Sequence, residues 1–210
     1  MRSCASSTPV SSGTSELNEL FEHPENTTPL TPEEMRELIP AHIAYRSELN
    51  EAEQANIVRA QDWALGRRRD LLTEKFIKNL HRHMFGDVWR WAGKFRTSER
   101  NLGIACYEIP AALRQLLDDA RALIEYKAYP PDEIAVRFHH RLVQIHAFPN
   151  GNGRHSRLAA DILVMNLGGE RFTWGRANLQ EAGAVRRRYI SALKAADDHE
   201  LDPILAFSRS

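Results

Sequence analysis

The chain has 210 residues, enough for one domain with a sizeable core, and its 28 Lys and Arg balance 28 Asp and Glu to zero net charge. That balance removes any global pull toward nucleic acid or an anionic membrane. No apolar run is long enough to span a bilayer, and two distant cysteines, Cys4 and Cys106, suit a reducing cytoplasm better than a disulfide framework.

Residues 1–28 are polar and small and lack the apolar core of a signal peptide, so a flexible tail is expected there. N-terminal helices are expected over 29–66 and the core over 67–210, the whole best regarded as one domain. Thr31-Pro32-Glu33-Glu34 combines a cap, a first-turn proline and a capping-box glutamate. Met35, Leu38 and Ile39 would be the apolar side of that helix, which Pro40 kinks or ends, and a second short helix is expected to run to about Glu48. Asn50-Glu51-Ala52-Glu53 reads as the next start, continuing through Ile57, Ala60 and Trp63 to Gly66. Thr73 opens a helix carrying Phe76, Ile77, Leu80 and Met84, stopped near Gly86. Over 93–109 the helical period fails, and Ile104–Ile109 reads as a short strand with a partner before Gly103. Pro110 starts a long helix with Leu113, Leu116, Leu117, Ala120 and Leu123. Pro130-Pro131 precedes another with Ile134, Phe138, Leu142 and Ile145. Asn178-Leu179-Gln180-Glu181 opens a late helix bearing Val185, Tyr189 and Leu193, and a last one spans about Leu201 to Phe207. The expected fold class is all-α with one small β-hairpin.

The chemistry concentrates in residues 146–157, His146-Ala147-Phe148-Pro149-Asn150-Gly151-Asn152-Gly153-Arg154-His155-Ser156-Arg157. Pro149 and the two glycines break the helical pattern, which resumes after Arg154 at Leu158, Ile162 and Met165. A glycine-rich loop opening a helix directs unpaired N–H groups and the positive end of the helix dipole at one spot, which is an anion site. Arg154 and Arg157 lie one turn apart on that helix. Cations oppose the dipole there, and a bound polyphosphate would remove the conflict. His146, at the edge of the loop, is placed to act as a general base on a hydroxyl.

These residues resemble the signature of the Fic family, His-x-Phe-x-(Asp/Glu)-Gly-Asn-Gly-Arg-x-x-Arg. All fixed positions match except the acidic one, where Asn150 stands. Trp91-Ala92-Gly93-Lys94-Phe95-Arg96 is similar to the approach to the family's flap. Residues 49–57 resemble the N-terminal part of the bacterial subfamily called mobile mystery protein B. The resemblance implies a helical bundle with a hairpin flap, and transfer of AMP from ATP, with Mg²⁺, to a Ser, Thr or Tyr hydroxyl of a target protein or of the chain itself. By resemblance, His146 is the base and Phe148 anchors the loop. The N–H groups around Gly151, Asn152 and Gly153 hold the α- and β-phosphates. Arg154 neutralises the leaving phosphates, and Arg157 reaches the γ-phosphate. Residues 98–108, with Leu102, Gly103, Ile104 and Ala105, form the flap that registers the target. Asn150 replaces a family carboxylate that helps hold Mg²⁺, and a neutral oxygen binds that ion more weakly.

Many Fic proteins carry an inhibitory helix whose Glu pairs with the second motif arginine. Glu48 is the first candidate, at the expected end of the short helix before Asn50, and Glu51 the second. An ordinary solvated helix-end glutamate is about as good a reading of either. A nucleotide-binding module with weak or altered activity, such as AMP removal or use of another donor, stays open because of Asn150. Regulation by a partner or a homo-oligomer stays open too. Arg67-Arg68-Arg69 and Arg186-Arg187-Arg188 read as solvated faces rather than nucleic-acid patches. The spacings of His81/His83 and His139/His140 do not suit a helical metal pair. Trp63, Trp89 and Trp91 read as core or rim aromatics. No base partner for Cys106 is evident.

Overall fold

The structure, a computed structural model, describes residues 30–66, 69–176 and 183–210. The tail expected over 1–28 and the helix start expected over 178–181 lie outside the described residues. Eight α-helices occur among those described: α1 Pro32–Met35, α2 Arg46–Leu65, α3 Glu74–Phe85, α4 Ile109–Glu125, α5 Pro131–Ile145, α6 Asn152–Asn166, α7 Ala184–Asp197 and α8 Asp202–Ser208.

The caps explain most boundaries. Thr31 and Glu34 form the expected capping box, but α1 is one turn long. Leu38 leaves it to bridge Trp89 in an isolated β-type pairing. The short helix ending at Glu48 and the start at Asn50 are both corrected, because α2 begins at Arg46. Glu48 makes that start: from inside the first turn its carboxylate accepts the backbone N–H groups of Ala44 and Tyr45, at 2.9 and 3.1 Å. These bonds hold the Glu48 carboxyl below its ordinary pKa. Thr73 caps α3 by accepting the Phe76 N–H, as its sequence suggested. Pro131 and two acidic residues open α5 where both the ring and the dipole favour them.

The buried positions of α2 are Leu49, Glu53, Asn56, Ile57, Ala60 and Ala64, a single stripe at helical spacing. That stripe packs on α3, which packs in turn on α6, while α5 and α6 form the tightest pair. One hydrophobic cluster includes Leu30 at one end of the described chain and Phe207 at the other. Phe85, Phe138, Phe148, Leu80, Met84 and Ile145 are among its largest fully buried side chains. Each contributes about 1.5–3 kcal/mol by leaving water. This core lies directly beneath the 146–151 loop.

The expected β-hairpin is absent from the described residues, where no sheet occurs. Residues 106–108 make one 3-10 turn, and Ile109 already belongs to α4. The reason is Arg96. Its buried guanidinium donates to the carbonyls of Ser98 (3.0 Å), His146 (2.7 Å) and Ile104. The Ile104 carbonyl, which a hairpin would pair across strands, is therefore already taken.

Gly151 is the N-cap of α6 with φ +78°, and a Cβ there would fall 2.5 Å from the Phe85 ring. Gly151→Ala is expected to cost more than about 2 kcal/mol, from the left-handed backbone and the ring together. Urea denaturation measures this. A loss below about 0.5 kcal/mol, the size of an ordinary surface change, would show that Phe85 simply moves aside.

Candidate functional site

α5 ends at His146, whose backbone is left-handed (φ +51°, ψ +56°). A non-glycine residue held there stores about 1–3 kcal/mol of strain, which a packed surrounding must overcome. The side chain exposes 9% of its surface, so it is nearly enclosed. Burial first, then the charges of Arg96 and Arg100, push its pKa down to about 4, against a hydrogen bond to the Val143 backbone. The imidazole is therefore neutral at pH 7.

The loop after His146 is locked from inside. Asn152, 4% exposed, accepts the Phe148 N–H at 2.9 Å and donates to the Phe148 carbonyl at 2.7 Å. Phe148 is fully buried and stacks on His81 with ring centroids 3.8 Å apart. His81 is held neutral by burial, with its pKa well below the ordinary value. Its Nδ1 accepts the Gly93 N–H at 3.0 Å, so Nε2 carries the proton and donates to the Asn150 carbonyl at 3.0 Å. One neutral imidazole thus ties the Trp91–Gly93 turn to the loop. The Asn152 side chain points into the core, and the Gly151 N–H is turned to Asn150 Oδ1 at 2.6 Å. The first-turn N–H groups of α6 have no side-chain cap. Donors and dipole together give this helix start the electrostatics that favour an anion.

The two loop arginines are held differently. Arg154 pairs with Glu53 at 2.6 Å and lies over the Phe85 ring at 4.8 Å. Glu53 is buried, and its other oxygen accepts from Trp89 Nε1 at 2.7 Å. Arg157 lies over the Tyr189 ring at 5.1 Å, and its Nη1 is 3.6 Å from where a Gly153 Cβ would stand.

The 98–105 segment lies against the histidine even without a hairpin. A Cβ on Gly103 would be 2.5 Å from His146 Cβ and 2.9 Å from Arg96 Nη2. Leu102 is 44% exposed, while Ile104 is half-buried and packs on the core. Ala105 leads into the turn at Cys106. The Arg96 N–H also donates to the Ala147 carbonyl at 3.0 Å. An ion pair between Arg100 and Glu34 ties this segment to α1. Cys106 is half-buried with Sγ toward the Thr97 carbonyl, and Glu99 pushes its thiol pKa up, the opposite of an activated nucleophile.

Three residues that the motif did not flag therefore shape the site: Glu53, His81 and Arg96. Glu53 and His81 sit on the apolar faces of α2 and α3, where a polar residue breaking the stripe was the available signal. Glu48 is spent on its own helix start and Glu51 is exposed. Among the described residues, Glu53 is the α2 carboxylate in contact with a loop arginine. No group of three or more His, Cys, Asp or Glu among them is arranged to hold a metal. Asn150 offers one neutral oxygen, which suits an ion such as Mg²⁺ only if a ligand's phosphates supply further ligands.

Residues 71–164 match the model of the Fic/DOC family. The Protein adenylyltransferase Fic of Aedes aegypti is 29% identical over 144 residues, covering 67% of this chain and 28% of that protein. The protein of the same name from Drosophila willistoni is 30% identical over 140 residues, 65% of this chain and 27% of its own length. The match thus spans under a third of the length of these curated relatives. The BepC protein of Bartonella tribocorum, solved with bound AMPPNP, superposes with a TM-score of 0.65 at 16% identity, covering 85% of this chain and 97% of that one. A Fic domain containing signalling protein from Bacteroides thetaiotaomicron gives 0.58 at 21% identity, over 76% and 66% of the two chains. At these identities the solved structures establish a shared fold.

Burial keeps several histidines neutral around this site: His139 with a pKa of about 3, His146 and His155 of about 4, and His81 lower than its ordinary value. The unfolded chain binds these protons from about pH 6.5 downward, while the folded chain refuses them until about pH 4. Stability present above pH 6.5 is therefore expected to fall steadily between those limits. Urea midpoints at pH 7, 5.5 and 4.5 check this; a flat profile would mean the imidazoles reach water.

Proposed function

We propose that the chain, whose residues 71–164 match the Fic/DOC family model, works as a protein adenylyltransferase, moving AMP from ATP to a Ser, Thr or Tyr hydroxyl. The observation that carries this reading is a neutral, enclosed His146 beside an uncapped helix start bearing Arg154 and Arg157. The narrower likeness of residues 49–57 to mobile mystery protein B, and a cytoplasmic setting, belong to the same proposal.

In this mechanism the target hydroxyl oxygen attacks the α-phosphorus. The bond from that phosphorus to the bridging oxygen breaks, and pyrophosphate leaves. His146 takes the hydroxyl proton as the new bond forms. The first-turn N–H groups of α6 hold the phosphates, with the Asn152 side chain keeping the loop in shape beneath them. Arg154 answers the charge that grows on the leaving group, and Arg157 engages the outer phosphate. Mg²⁺ carried by the nucleotide would add positive charge on the phosphates, with Asn150 as its protein ligand. Residues 98–105, beside His146, present the target segment.

Control by an N-terminal glutamate is part of the proposal in revised form. Glu53 stands in contact with Arg154, and a phosphate there must share or displace that carboxylate. A second reading rests on Asn150, a neutral residue whose oxygen already accepts the Gly151 N–H. It makes the chain a nucleotide-binding module with weak or altered activity, such as AMP removal or use of another donor.

Labelled ATP, Mg²⁺ and cell lysate separate the readings, since the transferase leaves AMP on protein and the module only binds. His146→Ala is expected to reduce transfer at least about 100-fold with ATP binding largely kept. The acid limb of the wild-type pH profile should lie near pH 4 to 5, following the depressed histidine. Wild-type turnover in the mutant would sink the mechanism. Glu53→Gln keeps an acceptor for Trp89 but removes the charge beside Arg154, and should raise transfer about fivefold. Glu48→Gly and Glu51→Gly are the matched comparisons; activation by either of them and not by Glu53→Gln would return the inhibitory role to the start of α2.

A further inference from the structure

Arg157 is the loop arginine whose orientation the motif leaves open. Arg154 has Glu53, and Arg171 nearby has Asp161, but no ion pair among the described residues joins Arg157. Its guanidinium sits over a tyrosine ring and hydrogen-bonds the same side chain. That ring belongs to Tyr189 on α7, outside the 71–164 match.

We infer that Tyr189, oriented by His139, is the positioning residue that holds Arg157 ready for the nucleotide's outer phosphate, an inference resting on the adenylyl-transfer reading above. Tyr189 is buried, and its hydroxyl lies 3.1 Å from Nε2 of the fully buried His139 on α5. Burial, helped by the charge of Arg157, keeps that imidazole neutral, and the phenol and Nε2 share one hydrogen bond whose direction follows the tautomer. The hydrogen bond fixes the phenol, and Phe207 packs on the Tyr189 ring with centroids 5.6 Å apart. His139 is pinned in turn by Trp174 at 4.6 Å. A ring without rotational freedom thus presents its face to a long, rotamer-rich cation. Its Nη1 lies 3.6 Å from where a Gly153 Cβ would stand, in the first turn of α6. The arrangement suits a ligand that arrives with negative charge: the ring attracts the cation without neutralising it, where a carboxylate would compete with phosphate. Arg157 is thereby pre-set by helices outside the motif, within the field of Asp161 but in no ion pair among the described residues.

The test uses the full chain with Tyr189→Leu, Tyr189→Phe, Arg157→Ala and the double variants. Calorimetry measures ATP and AMP affinity, thermal melts verify folding, and ¹⁵N-arginine labelling reads the Arg157 Nε–H signal without nucleotide. Tyr189→Leu is expected to weaken ATP about tenfold while AMP affinity holds, and to broaden the Arg157 signal. Tyr189→Phe keeps the ring and loses the hydroxyl bond, so about a threefold loss is expected, with the thermal melt reading the cost of leaving His139 unpartnered. Neither change should weaken ATP further when Arg157 is already Ala. Equal losses for ATP and AMP, or a loss that persists without Arg157, would overturn the positioning role. An Arg157 signal indifferent to Tyr189→Leu would overturn it too. If the signal responds but wild-type protein binds ATP no tighter than AMP, the phosphate role is overturned together with the functional reading.

Discussion

The site depends on one buried amide. Asn152 closes a ring with both backbone groups of Phe148, and that double bond sets the shape of the loop between α5 and α6. The Phe148 ring is driven inward by its burial, and the amide keeps the neighbouring polar backbone satisfied while it is there. His81 underpins the arrangement by stacking on the ring and holding the Asn150 carbonyl. With the loop so fixed, the first turn of α6 opens outward, and His146 is left at the end of α5 in a strained, nearly enclosed position.

The arginines around the loop show how one charge type serves three purposes. Arg96 spends its donors on three carbonyls and acts as a spacer between the 98–105 segment and the loop. Arg154 is balanced by a buried carboxylate, so any anion entering there meets a competitor. Arg157 faces an aromatic surface, which attracts a cation without cancelling it. The same field acts on His146, where Arg96 and Arg100 add to burial in keeping the imidazole neutral. Burial first and fixed positive charge second thus keep the imidazole neutral beside the uncapped helix start.

The helical framework was legible because helix period and caps are local. Thr31, Thr73 and Pro131 mark their helix starts, and the apolar spacing in α3, α4 and α5 matches what is buried. The motif residues were legible for the same reason: loop chemistry between two helices is written within a dozen positions. The structure departs from the local pattern where another side chain took over the expected role. Asn50 looked like a cap, but Glu48 had already satisfied the N–H groups upstream. Ile104 looked like strand, but Arg96 claims its carbonyl across eight positions.

The sequence by itself determined the helical class, the glycine-rich turn between two helices, the histidine beside it and the family likeness, because each rests on neighbours in the chain and on local backbone sterics. Tertiary structure alone decided which groups those residues meet. Glu53 reaches Arg154 across 101 positions, His81 reaches the loop across 69, and Tyr189 reaches His139 across 50. Such contacts carry no periodic mark, because a buried polar partner is selected by where its helix packs and not by its place in a pattern.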